Sequence, residues 1–265
     1  MFGTTFGIMR RLFMWSGDYR FLISNLVMRD FKVRYRNMSL GVFWSLLNPL
    51  VMMGVLTFVF TQIFPNPSIK NFPLFALCGL IPFNFFAITW ISATTSLVDN
   101  ANLVKRVSVP RQAFPIAAVF SSCIHLCVQI ALLLSLVITF GRGFNIYWLW
   151  LPAIWGLEVV FVCGLGLMFS AMNVYIRDMQ YVVESCNMIL FWLVPIFYFT
   201  VPERYYEIYQ YNPITALVVA LRDILLDGKA PPATLLYKLT FVSFAALTLG
   251  SAVFGRLKRG FYDHL

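Results

Sequence analysis

The sequence predicts an all-α, polytopic membrane protein: six transmembrane helices, an interfacial amphipathic helix before the first, and re-entrant helices before the last. Three observations predict it. No charged residue lies between Arg36 and Lys70, nor within 71–98, 112–141, 185–202 and 239–255, and the run 143–176 is broken only by Glu158. Such runs match the roughly 20 residues that an α-helix needs to cross a ~30 Å hydrocarbon core. Hydrophobic residues make up 60% of the 265 and charged residues 12%, with a mean hydropathy of +0.78, more apolar surface than a soluble domain of this size keeps from water. The period-two alternation of barrel strands is absent, so helices must satisfy the backbone within lipid.

The whole chain, 1–265, reads as one transmembrane domain, with spans at about 41–63, 73–98, 113–140, 147–172, 182–200 and 236–254. Residues 18–40 read as a helix lying on the membrane. Met28, Phe31, Tyr35 and Met38 share one stripe, and Asn25, Arg29, Lys32 and Arg36 form an adjacent polar one, with Arg34 outside it. A basic anchor on anionic headgroups and a partner-binding surface both fit that pattern. The outer loop near 64–72 is short and carries Pro65 and Pro67 with Pro73 at the next span, and Gly141 to Asn145 is a tight turn. In the link 99–112, Pro110 lacks an amide donor and biases Val109 away from helix, so a short helix is expected to end near Val107. The link 173–180 is shorter still. The connection 201–235 carries Tyr205, Tyr206, Tyr209 and Tyr211, and its apolar piece Ile214 to Leu221 is too short to cross twice. Two readings fit: short re-entrant helices capping the bundle, or an interfacial aromatic loop.

An even number of spans puts both termini on one side. Of the twenty Lys and Arg, only Lys70, Arg142, Arg204, Arg222, Lys229 and Lys238 then lie on the other. The excess of positive charge on the side of the termini assigns them to the cytoplasm, and the net charge of +9 reports topology more than a nucleic-acid partner. The first 40 residues do not read as a cleaved signal peptide. Five cysteines, Cys78, Cys123, Cys127, Cys163 and Cys186, fall inside spans and indicate no disulfide framework. Cys123 and Cys127 share a helix face from which His125 points away, so small buried hydrophobes are expected and a metal site is not.

The chain has no G-x-x-x-x-G-K-[ST] phosphate loop, so any ATP must act through another polypeptide, and neither H-E-x-x-H nor G-x-S-x-G occurs. No catalytic residue, cofactor or metal ligand is expected. His125 and Glu158 are the ionisable side chains deep in the spans. A mid-membrane carboxylate costs about 2.5 kcal/mol or more, so Glu158 should face the bundle interior or a wet cavity. Three roles stay open for it: a structural hydrogen bond, a polar group lining a substrate path, and a proton carrier. Trp44, Phe83, Phe85, Phe86, Trp90, Phe197 and Tyr198 fall at span ends or beside Pro49, Pro82 and Pro195, where helices bend, and with Tyr35 and Glu158 they are the candidates for lining a channel. Aromatic faces pack against the C–H faces of sugar rings, and ordinary packing explains the same residues.

Particular strings add a resemblance. "RDFKVRYRNMSLGVFWSLLNPLVMMGVLTFVF", Arg29 to Phe60, resembles the entry to the first span of the ABC-2 type permeases that export polysaccharides. "FPLFALCGLIPFNFF", "LVKRVSVPRQAFPIAAV", "GLGLMFSAMNVYIRDMQY", "VPIFYFTVPERYYEIYQYNPITALVVALRD" and the tail "FGRLKRGFYDHL" follow in that family's order and spacing. The nearest branch is similar to O-antigen and related cell-surface polysaccharide exporters, with teichoic-acid exporters as relatives. The resemblance implies a homodimer in the bacterial inner membrane, forming one channel for a lipid-linked polysaccharide. It also implies two copies of a separate ATPase subunit, which bind the ATP and magnesium.

In that pattern the interfacial helix matches Asp18 to Ser39, and the coupling element matches Asn100 to Gln112. Arg29, Lys32, Arg36, Lys105, Arg106 and Arg111 would meet the ATPase or nearby headgroups, with Pro110 fixing the turn. Arg177 and Asp178 match the short cytoplasmic loop after the fourth span. Glu203 to Asp227 match the capping helices, with Tyr205, Tyr206 and Tyr209 in the cap and Asn212 and Pro213 at its bend. Two alternatives remain: a permease for teichoic acid or another lipid-linked polymer or amphiphile, and a membrane-embedded enzyme acting on lipid-linked sugars. Enzymes of that kind need clustered polar groups near an interface, and the carboxylates here are scattered.

Overall fold

Apolar runs that must hydrogen-bond to themselves become helices, and every regular element among the described residues is one. The computed structural model describes residues 17–35, 41, 43–65, 69, 71–106, 109–141, 143–198 and 212–261. The helices are α1 (Gly17–Tyr35), α2 (Phe43–Phe58), α3 (Phe72–Asp99), α4 (Ala101–Arg106), α5 (Ala113–Phe140), α6 (Leu151–Tyr175), α7 (Met179–Leu193), α8 (Pro213–Arg222) and α9 (Ala233–Leu257). A wider turn, Val59–Ile63, prolongs α2, a tight one, Ile146–Trp150, precedes α6, and another wide turn, Asp223–Asp227, ends α8.

Five stretches are long and apolar enough to cross a bilayer: Phe43–Ile63, Phe72–Asp99, Ala113–Phe140, Ile146–Tyr175 and Ala233–Gly260. They coincide closely with five of the six expected spans. At the remaining one, 182–200, the helix is α7, of 15 residues. At 1.5 Å per residue it covers about 22 Å, less than the hydrocarbon thickness. It stops because Pro195 drives the residue before it to extended geometry, and Val194 has φ −75° and ψ 134°. Val194 and Ile196 are nevertheless fully buried.

α3 is the centre of the molecule, packed against α5, α6, α2, α7 and α8. α6 and α9 make the most extensive pairing, and their backbones touch where Gly164 meets Gly250. Small residues allow such approach where lipid offers no hydrophobic drive between helices. One apolar core fills the middle and one end of the bundle. A second, at the end carrying most basic residues, joins Leu26 of α1, Leu97 of α3, Val104 of α4, Phe114 of α5, Val174 of α6 and Phe254 of α9.

The helix expected at the interface, α1, is turned differently from its sequence pattern. Leu22, Ile23, Leu26 and Val27 pack on the second core, whereas Met28 is 50% exposed. α1 carries apolar side chains nearly all round, so periodicity alone does not select the face that packs. Further along, Phe31 stacks on His125 of α5 with ring centroids 5.6 Å apart. The short helix expected after α3 is present as α4, ending at Arg106.

Candidate functional site

Polar amides inside an apolar bundle mark the candidate site. A cleft of about 700 Å³ lies between α2, α3 and α5. Asn48 and Trp44 enter it from α2, Asn84 and Phe85 from α3, His125 and Gln129 from α5, and Phe191 closes it from α7. The Gln129 amide donates to the Ser45 carbonyl at 2.9 Å, which ties α5 to α2. Asn48 is exposed and Asn84 half-buried, so neither amide is sealed within the chain. Most of the wall is apolar, with Leu47, Val51, Met52, Val55, Ile88 and Leu126, so the open amides of Asn48 and Asn84 are polar points on it, and an amide turned to hydrocarbon is costly.

The aromatic candidates divide. Trp44 and Phe85 belong to the cleft, but Phe83, Phe86 and Trp90 pack inside the chain. Phe86 stacks on Phe161 at 5.9 Å and touches Trp90 at 5.3 Å, and Trp90 meets Phe169 edge-on at 5.0 Å. Bundle packing and sugar stacking draw on the same residue types, and here packing takes these three. Phe197 stacks on Phe60 at 5.2 Å, and the Tyr198 hydroxyl donates to the Leu193 carbonyl at 2.7 Å, closing the end of α7. Tyr35, as a side chain, lies outside the described residues.

Glu158 is 2% exposed on the interior side of α6, and neither carboxylate oxygen has a hydrogen-bond partner among the described residues. It does not reach the cleft. A hydrogen bond to a neighbouring helix, one of its expected roles, is not made by the described residues.

At one end of the bundle, basic residues gather around the second core. Arg29 pairs with Asp30 at 2.7 Å and donates to the Asn100 side-chain oxygen at 2.7 Å, joining α1 to the start of α4. Lys32 and Lys105 are exposed. Pro110 supplies the carbonyl that accepts from the Ala113 amide at 2.9 Å, and the turn leads into α5. Arg111 donates to the Lys258 carbonyl at 2.6 Å. Arg177 and Asp178 are exposed in the turn before α7. Arg36, Tyr205, Tyr206 and Tyr209 lie outside the described residues, as does the side chain of Arg106.

By sequence Arg222 is one more outer-loop cation, whereas in the fold it is a buried lock. Asn212 accepts from the Ile214 amide at 3.1 Å and Pro213 opens α8, a pairing suited to a helix start. α8 then delivers Arg222 to the carbonyls of Phe75 and Ile196, at 3.2 and 2.8 Å, with its guanidinium 3.4 Å over the Phe75 ring. Burial pulls its pKa down from the ordinary arginine value, and a guanidinium keeps its charge in proteins. Next to it, burial and then the Asp227 charge raise the Asp223 carboxyl above its ordinary value. The amides of the cleft were missed for a simple reason: a search for ionisable groups passes over Asn48, Asn84 and Gln129. Their signal is an amide within an otherwise apolar run.

A family model for ABC-2 type transporters matches residues 22–226, which include most of α1 and all of α2 through α8. The chain belongs to the ABC-2 type transporter family. Among curated relatives, an O-antigen export system permease protein RfbA of Klebsiella pneumoniae is 29% identical over 242 residues, covering 89% of this chain and 92% of the relative. RfbA of Myxococcus xanthus is 27% identical, with 94% and 96% covered. The polysialic acid transport protein KpsM of Escherichia coli is 27% identical, with 88% and 92% covered. As a multi-pass member of this family the chain is similar to transport permeases.

Proposed function

We propose that this chain is the channel-forming permease subunit of an ATP-driven exporter that carries lipid-linked polysaccharide of O-antigen type across a bacterial inner membrane. It works as a homodimer with two copies of a separate nucleotide-binding subunit, which holds the ATP and magnesium. One observation carries this reading: an open, largely apolar cleft between the spans that carries aromatic edges and the amides of Asn48 and Asn84, in a chain whose relatives bear polysaccharide-export names. Amides and aromatic faces offer a glycan many weak contacts, which permit sliding where one tight site would trap it.

Six crossings and cytoplasmic termini belong to the same proposal. α7 covers about 22 Å as helix, and Val194 to Phe197 add at most about 13 Å, enough together for a sixth crossing. The packing of Ile196 against Gly79 and Arg222, near the start of α3, supports that length. Nucleotide-driven closure of the partner would press on α1, α4 and the Arg177 turn, and rigid spans would transmit the displacement to the cleft. Lys105, Arg106 and Arg111 lie on or beside this surface in sequence, and Tyr205, Tyr206 and Tyr209 with α8 form the outer cap.

The test is co-purification of the chain with an ATPase subunit, followed by ATP hydrolysis in reconstituted vesicles with and without lipid-linked glycan. Hydrolysis that rises with glycan supports the proposal. Transport of polymer by this polypeptide alone, or termini labelled on opposite faces, overturns it.

A further inference from the structure

A second cavity, remote from the cleft, lies where α5 begins and α9 ends. It holds about 440 Å³ and is walled by Pro110, Arg111, Gln112, Phe254, Lys258 and Arg259. Three of these side chains are cationic, and no acidic side chain lines the cavity among the described residues. Phe254 is buried and gives it an apolar floor.

The end of a helix ordinarily disfavours an anion, because its last carbonyls carry negative partial charge. Here two of them are already covered. The Tyr175 hydroxyl donates to the Leu257 carbonyl at 2.8 Å, and Arg111 donates to that of Lys258 at 2.6 Å while lying over the Phe261 ring at 5.6 Å. The side chains of Lys258 and Arg259 are exposed around the opening. Guanidinium forks match phosphate oxygens, and basic pockets between helices at a membrane surface suit phosphorylated headgroups.

We propose that this cavity binds a phosphate-bearing anion at the membrane surface, namely the headgroup of an anionic phospholipid, with net negative charge, of the adjoining leaflet. The occupant would bridge the Pro110 turn and the end of α9, making the link between α4 and α5 sensitive to lipid charge. This rests on the topology proposed above only for which leaflet supplies the lipid.

The test compares full-length protein in nanodiscs of phosphatidylcholine with nanodiscs one-third phosphatidylglycerol, reading acylation of individual lysines by mass spectrometry. Lys105, exposed at the same end, reports the general surface field. Lys258 is expected to react at least about threefold more slowly with phosphatidylglycerol, beyond any change at Lys105, and Arg259→Gln should remove most of that difference. In a parallel arm, inorganic pyrophosphate is added to the phosphatidylcholine discs. Protection of Lys258 only there supports a phosphate site and assigns it to a soluble source. Equal slowing of Lys258 and Lys105, or no protection in either arm, overturns the site. If the two lysines react from opposite sides of sealed vesicles, the topology fails while the comparison in discs stands.

Discussion

Arg222 shows how one side chain joins three elements. Its guanidinium serves two carbonyls, of Phe75 in α3 and Ile196 beyond α7, while stacking flat on the Phe75 ring. Replacing it with Met leaves those carbonyls without the charged donor, and hydrogen bonds to charged groups contribute about 1.5–3 kcal/mol. Arg222→Met should therefore lower the thermal midpoint in detergent by several degrees. Arg222→Lys should restore little, since an ammonium has neither the fork nor the plane. A midpoint unchanged in both variants would remove Arg222 from the structural account. Glu158 leads to the opposite expectation. Its oxygens make no hydrogen bond with the described residues, so Glu158→Gln should leave stability and transport nearly as they are. Loss of transport with normal expression and assembly would instead revive a proton-carrying role.

At the scale of elements, the contact of α6 with α9 is limited by two glycines. A Cβ on Gly164 would strike the backbone at Ala246 and Leu247, and backbone cannot step aside as a flexible side-chain end can. Overpacking of this kind costs about 1–3 kcal/mol. Gly164→Ala is expected to lower the thermal midpoint, while Gly156→Ala, with nothing within 4 Å of its Cβ, should not. Equal midpoints would mean that the pair can separate without penalty.

The long helices were legible because charge is so costly in hydrocarbon that its absence over a run is informative: the expected 113–140 is Ala113–Phe140. The early end of α7 was not, since the charge-free run continues to 202 whether the backbone is helical or extended. Nor was the packing face of α1 or the division of the aromatics. Lipid tolerates an apolar side chain as readily as a core does, so composition does not tell Trp44, at the cleft, from Trp90, inside the bundle.

For the whole molecule, the proposed glycan path and the proposed ATPase contact lie at different depths and should fail separately. Lys105→Glu with Arg106→Glu changes the charge of the end around the second core without touching the cleft. Association with the ATPase subunit should weaken, and unchanged co-purification with unchanged stimulated hydrolysis would count against that placement. Asn84→Leu with Asn48→Leu makes the complementary change, removing the open amides from an otherwise largely apolar cleft. The double variant should fold and hold its ATPase partner, because Asn48 is exposed and Asn84 half-buried, yet polymer flux per ATP hydrolysed should fall by about tenfold, the effect of about 1.4 kcal/mol on a barrier. Flux measured in vesicles with matched amounts of assembled complex decides it. Flux equal to the unaltered protein's would place the glycan path elsewhere and leave the cleft as packing between chains.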